Sequence, residues 1–244
     1  MCSLFVKSEW RDIMQKSIWL AVIILGLPIL LFAQEVGTSA DTQMEGQFAF
    51  QLSYEHLTRN FTLGGYKEKI GRKILSGKLS FRPVRSANFY GFIGSSNFSN
   101  SYTDDGSLLY FGGGCKLIML GEVYVEEEDS ETITVKAGMG LDFQLSHLQS
   151  TNNRTYTDFA LTEFQGSLDF GLRIFWFVGY FGFKFSKISG EFTQLDYLRI
   201  KAEGTGLFSL FLGLNFHLSK SLVLVSEVSF FTEKSWALGL RVDI

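Results

Sequence analysis

The chain contains little cysteine, proline or histidine. Of its 244 residues, two are Cys, two are Pro and three are His. Cys2 lies in the leader predicted below, which leaves Cys115 alone and excludes an internal disulfide framework. No two of His56, His147 and His217 stand at the i, i+4 spacing typical of metal ligands. We therefore predict a protein without disulfides, metal centre or cofactor.

Positive charge is also in short supply. The sequence has 22 Lys and Arg against 25 Asp and Glu, which gives a net charge of −3 at pH 7. A nucleic-acid-binding protein needs a basic stripe to neutralise phosphates. We therefore predict no nucleic acid among the partners.

The one long apolar run lies near the N-terminus, from Ile18 to Phe32. It follows Lys16 and precedes Ala33 and a polar stretch, the pattern of a cleavable secretory signal peptide. The run is shorter than the roughly 20 residues that a transmembrane helix requires. We predict a signal peptide over residues 1–33, with translation starting at Met14 as an option, a flexible periplasmic lead-in over 34–47 and one β domain over 48–244.

Residues 132–146 show the clearest period of two in the chain. Ile133, Val135 and every second residue through Leu145 are apolar, whereas the intervening set is polar or Gly. Successive side chains of a strand point to opposite faces, so this pattern predicts a strand. About 9–11 residues of a tilted strand are enough to cross a bilayer, and this stretch is longer. Outer-membrane barrels carry this pattern, with lipid outside and a polar lumen within.

The same period recurs along the chain and predicts a single all-β, antiparallel, up-and-down transmembrane barrel of ten strands. An eight-stranded barrel is the alternative if the third or ninth strand is misread. The ten predicted strands are 48–55, 75–82, 87–98, 108 to beyond 119, 132–146, 163–174, 177–186, 208–217, 222–230 and 236–244.

Long and short connections alternate along this prediction. Polar loops are expected at 59–69, 97–106, 149–158 and 189–201, and most of the other connections are short. Long surface loops opposite short periplasmic turns are the usual asymmetry, which places both termini in the periplasm. Any extracellular ligand would meet these loops. The surface-loop candidates are Asp104, Asp105, Asn152, Asn153 and Arg154.

Strand length and aromatic residues near the strand ends favour the apolar set facing lipid. The polar set then shares a narrow lumen, where opposite charges are expected to pair and largely close the pore. An ion path through the lumen is the alternative. The predicted lumen charges are Lys78, Arg82, Lys136, Asp142, Glu163, Asp169, Arg173, Lys184, Glu227, Arg241 and Asp243.

Two C-terminal stretches carry a family resemblance. Residues 213–222 resemble the penultimate hairpin of small OmpA/OmpX-type outer-membrane barrels, including their PorT-like branch. The last strand, 236–244, resembles the C-terminal assembly signal of the same proteins. The resemblance implies a barrel in outer-membrane lipid, inserted by the barrel-assembly machinery, with no catalytic residues. The implied function is a structural or surface-binding role, or that of a narrow porin-like pore.

Two other functions stay open at this point. Outer-membrane hydrolases of the protease or lipid A deacylase type use His with Ser or an acid, and His147 has Ser146 and Asp142 nearby in sequence. The first alternative is therefore a hydrolase at His147. The second is a secreted soluble barrel that binds an apolar ligand, with the apolar set inside.

Overall fold

The computed structural model describes residues 46–63, 65–99, 107–126, 132–152, 157–194, 198–204 and 208–244. The predicted signal peptide and nearly all of the lead-in lie outside these residues. Within them no helix is long and apolar enough to cross a membrane. The strands are β1 (Phe48–Leu63), β2 (Tyr66–Val84), β3 (Ala87–Ser99), β4 (Ser107–Glu126), β5 (Thr132–Asn152), β6 (Thr157–Ile174), β7 (Phe177–Gln194), β8 (Leu198–Gly204), β9 (Phe208–His217), β10 (Leu222–Phe231) and β11 (Glu233–Asp243).

Ten of these strands form a closed antiparallel barrel. Each pairs with the next in chain order, except that β7 pairs with β9, and β11 closes the ring on β1. We call the end that carries the β2–β3 and β6–β7 turns the turn end, and the opposite end the loop end. The predicted ten-stranded, up-and-down barrel is confirmed, and the eight-stranded alternative is wrong for the barrel as a whole.

The strands are strongly staggered around the wall. We followed the register pairs from strand to strand once around the barrel. The path that starts at Met119 of β4 returns to β4 at Ser107, so the stagger (the shear number) is 12 residues. With about 3.3 Å per residue and about 4.8 Å between strands, the strands tilt by about 40° and the backbone diameter is about 20 Å. Inward side chains from opposite walls can meet across such a lumen.

The number of strands falls at the loop end. β9, β10 and β11 stop early, and above them β8 pairs with β7 on one side and with β1 on the other. On β1 the neighbour changes from β11 at Arg59 to β8 at Phe61. We call this upper ring, built from β1 to β8, the collar. The wall therefore has ten strands in its lower part and eight in the collar.

The collar corrects the predicted loops. The stretch 59–69 is almost entirely strand, because β1 and β2 stay paired up to Leu63 and Tyr66. Likewise β5 and β6 remain paired to Asn152 and Thr157, and β7 continues to Gln194. These segments read as loops because their outward residues are polar, as in any strand that lies in water.

Below the collar the outer wall is apolar. This belt is about 25 Å tall on β6, where alternate residues from Phe164 to Ile174 point outward. Aromatic rings lie at both edges: Phe48 stacks on Phe81 at 4.5 Å near the turn end, and Tyr54 packs on Trp236 at 5.2 Å near the collar. The most exposed belt residues include Leu52, Leu79, Phe89, Ile93, Leu117, Leu145, Leu172, Phe181, Phe185 and Leu212.

In the collar the two faces exchange character. Its outer surface is polar, with exposed Asn60, Lys69, Asn97, Gln149 and Glu203. Its interior is an apolar cluster of buried side chains: Phe61, Ile70, Ile74, Leu108, Tyr110, Leu148, Leu161, Ile188 and Ala202. Polar outside and apolar inside is the pattern of a water-exposed barrel. The wall is thus apolar outside in the belt and apolar inside in the collar.

Inward aromatic rings lie over glycines of neighbouring strands. The Tyr180 ring covers Gly213, where an added Cβ would lie 2.0 Å from Tyr180 Cζ. We expect Gly213→Ala to displace this buried ring and lower the free energy of unfolding by about 1–3 kcal/mol, the usual cost of overpacking. Urea unfolding of the folded barrel measures it. Gly179→Ala is the control, because the nearest atom to an added Cβ there, Phe177 Cε1, lies at 3.4 Å. Equal losses in both variants would contradict the prediction.

Candidate functional site

The lumen holds two groups of buried charged side chains and is the candidate functional site. Inward positions alternate with belt positions along each strand, so every strand contributes side chains to it. The central cluster comprises Glu55, Arg59, Arg72, Glu163, Lys184, Glu227 and Glu233, all at most 8% exposed. The lower cluster, nearer the turn end, comprises Lys78, Lys116, Asp142 and Asp169.

Arg59 connects three strands of the central cluster. Its Nη1 donates to Glu163 Oε1 at 2.8 Å, and its Nη2 forms an ion pair with Glu233. Since β1 and β6 are five strands apart in a ring of ten, the Arg59–Glu163 contact crosses the full width of the lumen. Lys184 also pairs with Glu233 and donates to Ser229 Oγ at 3.2 Å. Glu233 is therefore shared by two buried cations.

Aromatic residues complete this cluster. The Tyr180 hydroxyl donates to Glu227 Oε2 at 3.0 Å, and the Arg72 guanidinium lies 4.9 Å from the centre of the Tyr110 ring. A ring face attracts a cation, and a hydroxyl satisfies a buried carboxylate. The tyrosines therefore stabilise charges that water would otherwise solvate.

The lower cluster is an alternating set of cations and carboxylates. Lys116 Nζ pairs with Asp169 at 2.6 Å, and the Tyr90 hydroxyl donates to Asp142 Oδ1 at 2.7 Å. Lys78 Nζ lies 4.4 Å from the centre of the Tyr90 ring. Two cations face two carboxylates, so the set balances its own charge.

The five other predicted lumen residues lie at the turn end of the barrel. Arg241 Nε pairs with Asp243 Oδ1 at 2.9 Å, with both side chains partly exposed. Arg173 donates to the carbonyl oxygen of Phe175 at 3.4 Å in an exposed contact, and Lys136 is half-buried. Arg82, in contrast, is 2% exposed and donates to the carbonyl oxygens of Val84 and Arg85. These residues stabilise the mouth and the β2–β3 turn rather than crossing the lumen.

A small cavity lies between the two clusters. Its volume is ≈ 40 Å³, and it is lined by Ser53, Glu55, Ser76, Lys78, Phe92, Tyr110, Gln144 and Ala237. A single water needs at least about 10–15 Å³, so the cavity has room for a few waters.

Sequence reasoning missed five members of the clusters: Glu55, Arg59, Arg72, Lys116 and Glu233. Arg59 fell in a predicted loop and Glu233 in a predicted turn, so neither was assigned to the lumen. Glu55 and Lys116 lie within predicted strands and on their inward sets, so assigning every residue of these strands to a face would have found both. Arg72 lies between two predicted elements.

The surface-loop candidates are only partly described. Asn152 is the last residue of β5 and is paired with Thr157. The prediction that it lies in a loop is therefore wrong, because β5 extends into the collar. Asp104, Asp105, Asn153 and Arg154 lie outside the described residues.

The hydrolase residues do not converge. Ser146 and Asp142 point into the lumen and are 3% and 5% exposed. His147 is on the outer face, where its Nδ1 lies 3.1 Å from Thr162 Oγ1 and its ring packs against Phe111. Neighbouring residues of a strand face opposite ways, so His147 and Ser146 cannot act on one substrate. Among the described residues no group of three or more His, Cys, Asp or Glu is arranged to hold a metal ion.

Comparisons with known proteins identify similar barrels but no family. No protein-family model and no curated protein sequence matches the chain. An outer-membrane channel from Pseudomonas putida F1 is similar over 86% of this chain and 100% of its own, with a TM-score of 0.42 and 10% identity. The autotransporter translocator domain of NalP from Neisseria meningitidis (100% and 99%; TM-score 0.35; 8% identity) and the KdgM porin (79% and 98%; 0.34; 8%) are further examples.

Proposed function

We propose that this chain is an integral bacterial outer-membrane barrel with a closed lumen, which acts at the cell surface through its collar as a structural or ligand-binding element. The observation that carries the proposal is the Arg59–Glu163 contact across the lumen at 2.8 Å, continued by Glu233 and Lys184. An open porin keeps a water-filled channel. In this barrel the paired charges of the central cluster occupy the part of the lumen that water fills in an open porin.

The outer wall supports the placement in a membrane. A belt about 25 Å tall with aromatic rings at both edges matches the hydrocarbon thickness that outer-membrane barrels span. The predominantly polar outside of the collar would be unstable in lipid, so we place the collar in water. A soluble barrel would leave Leu52, Leu79 and Ile93, each more than half exposed, in contact with water.

The two ends support an orientation. Gly46 and Ile244 both lie at the turn end, where Phe48 N donates to the carbonyl oxygen of Ile244 at 3.3 Å. Short turns lie in the periplasm in barrels of this kind, so we place both termini there and the collar outside the cell. Insertion by the barrel-assembly machinery and contact with outer-membrane lipid are part of the proposal.

Membrane insertion is tested by fractionation and gel mobility. We expect the protein in the membrane fraction, soluble only with detergent, and migrating differently on a gel before and after boiling. A barrel with a hydrogen-bonded ring of strands resists detergent until it is heated. Protein that stayed soluble without detergent would overturn the membrane placement.

Closure of the lumen is tested by conductance in planar bilayers. We expect no stable current steps from the folded wild type, because ions would have to displace paired charges and the apolar cluster of the collar. A variant with Phe61→Ala and Tyr110→Ala removes two bulky members of that cluster and should admit more current. Steady ohmic conductance of the wild type would show an open pore and contradict the proposal.

A further inference from the structure

We propose that the outer face of the collar carries a binding site for the phosphate groups of outer-leaflet lipid, formed by Lys67, Lys69, Lys73 and Lys234. We call these four residues the lysine strip. All four side chains are exposed. The described residues place no acidic partner within bonding distance of them. The inference rests on the proposed membrane placement and adds a ligand class to it.

The register brings the four lysines onto one continuous surface. Lys67, Lys69 and Lys73 lie on the outward set of β2, and Gly71 fills the position between them. Across the sheet Gly71 pairs with Thr58 of β1, and Thr58 pairs with Lys234 of β11. With about 4.8 Å between strands and about 6.6 Å between alternate residues, neighbouring lysines of the strip stand roughly 7–13 Å apart, and its ends, Lys67 and Lys73, roughly 20 Å apart.

The strip begins at the upper edge of the belt. Lys73 is two residues beyond Leu75, and Lys234 is two residues beyond Trp236, whose ring packs on Tyr54. Aromatic rings of this kind mark the boundary between hydrocarbon and headgroups. Lys73 and Lys234 therefore stand at headgroup level, about 5 Å beyond the apolar surface at the observed tilt, while Lys69 and Lys67 continue the positive charge outward.

The surroundings of the lower part of the strip are neutral. Lys73 pairs in register with His56 on one side and with Asn97 on the other, and Lys69 pairs with Asn60. At the upper end Lys67 pairs with Thr62, whose other partner is Glu203 of β8. The remaining cations, Lys69, Lys73 and Lys234, lie close together in neutral surroundings, which is costly in water alone and is stabilised by an anion. Phosphate groups at the membrane surface supply that anion where the strip lies.

The β7–β8 part of the collar, on the other side of β1, differs and provides a control. Lys187 lies two residues beyond the belt residue Phe185, but Lys201 pairs in register with Glu191, and Ser189 with Glu203. Cations and carboxylates alternate there, so the local charge is balanced. A general attraction of lysines to lipid would act on both parts of the collar, whereas a site would act on one.

The experiment measures lipid binding to the folded barrel in neutral detergent. The probes are diphosphoryl lipid A and the same lipid with its phosphates removed, and binding is followed by native mass spectrometry. The double variant Lys73→Gln with Lys234→Gln is compared with the double variant Lys187→Gln with Lys201→Gln, which removes the same charge from the β7–β8 part of the collar. Heat-modifiable mobility of each sample reports whether the barrel itself is folded and detergent-dependent.

We expect the wild type to prefer the phosphorylated lipid and the strip variant to lose about tenfold in affinity for it. The control variant should stay within about twofold, since its lysines have carboxylates beside them. Equal losses in both variants, or equal affinity for the two lipids, would overturn the site while leaving the membrane barrel intact. Displacement of the lipid by excess inorganic phosphate would make this a site for a soluble anion and overturn the assignment to lipid.

Discussion

Glu233→Gln should lower the free energy of unfolding by about 3–5 kcal/mol, the usual cost of removing one partner from a buried ion pair. Glu233 is 1% exposed and is shared by Arg59 and Lys184, so its neutral replacement leaves two buried cations with less opposite charge. Reversible urea unfolding in lipid vesicles measures the change.

Glu203→Gln is the matched control for this prediction. Glu203 lies on the exposed outer face of the collar, where a change of charge should alter stability by no more than about 0.5 kcal/mol. If Glu233→Gln unfolded at the same urea concentration as Glu203→Gln, the lumen charges would not contribute to holding the barrel together.

The second large effect is expected on the outside of the barrel. Leu141→Arg places a cation at mid-belt. A cation at the bilayer midplane lowers the free energy of unfolding of outer-membrane barrels by about 2–4 kcal/mol, and we expect a loss of this size here. Leu141 is 38% exposed and lies between the outward residues Leu117 and Leu168 of the neighbouring strands. The yield of heat-modifiable protein and the free energy of folding into vesicles should both fall.

Gln149→Arg tests whether the loss comes from lipid. Gln149 belongs to the same outward set of β5, eight residues further on and in the polar collar. A cation there meets water, so stability should stay within about 0.5 kcal/mol of the wild type. Normal insertion of Leu141→Arg would indicate that the belt does not face lipid.

The sequence predicted the belt part of the barrel and missed the collar, for one physical reason. An alternation of apolar and polar residues is recognisable only while the apolar residues stay on the same face of the strand. On β1 the apolar residues are Phe48, Phe50 and Leu52 on the outward set, and then Leu57 and Phe61 on the inward set. The phase changes at the step from the belt to the collar, where the outer face turns from apolar to polar. A search for one uniform alternation therefore ends at the belt and reads the collar as loop.

The lumen was predictable in kind but not in detail. Lys184, Glu163, Asp169 and Asp142 lie on inward sets that the alternation marks clearly. Which cation meets which carboxylate depends on the stagger of 12 residues around the ring, and a single strand carries no information on that value. The contact between Arg59 and Glu163, 104 positions apart, requires the closed ring.

The ring of strands closes at β1, which we call the seam of the barrel. A single edge of β1 meets β11 up to the Arg59–Glu233 pair and β8 from the Phe61–Gly204 pair onward, so both rings close on the same strand. A slip of β11 by one residue would turn Glu233 to the outside and Lys234 to the inside. Arg59 and Lys184 would then face a third buried cation instead of their shared carboxylate. The buried charges of the central cluster thus disfavour a shifted register of β11 against β1.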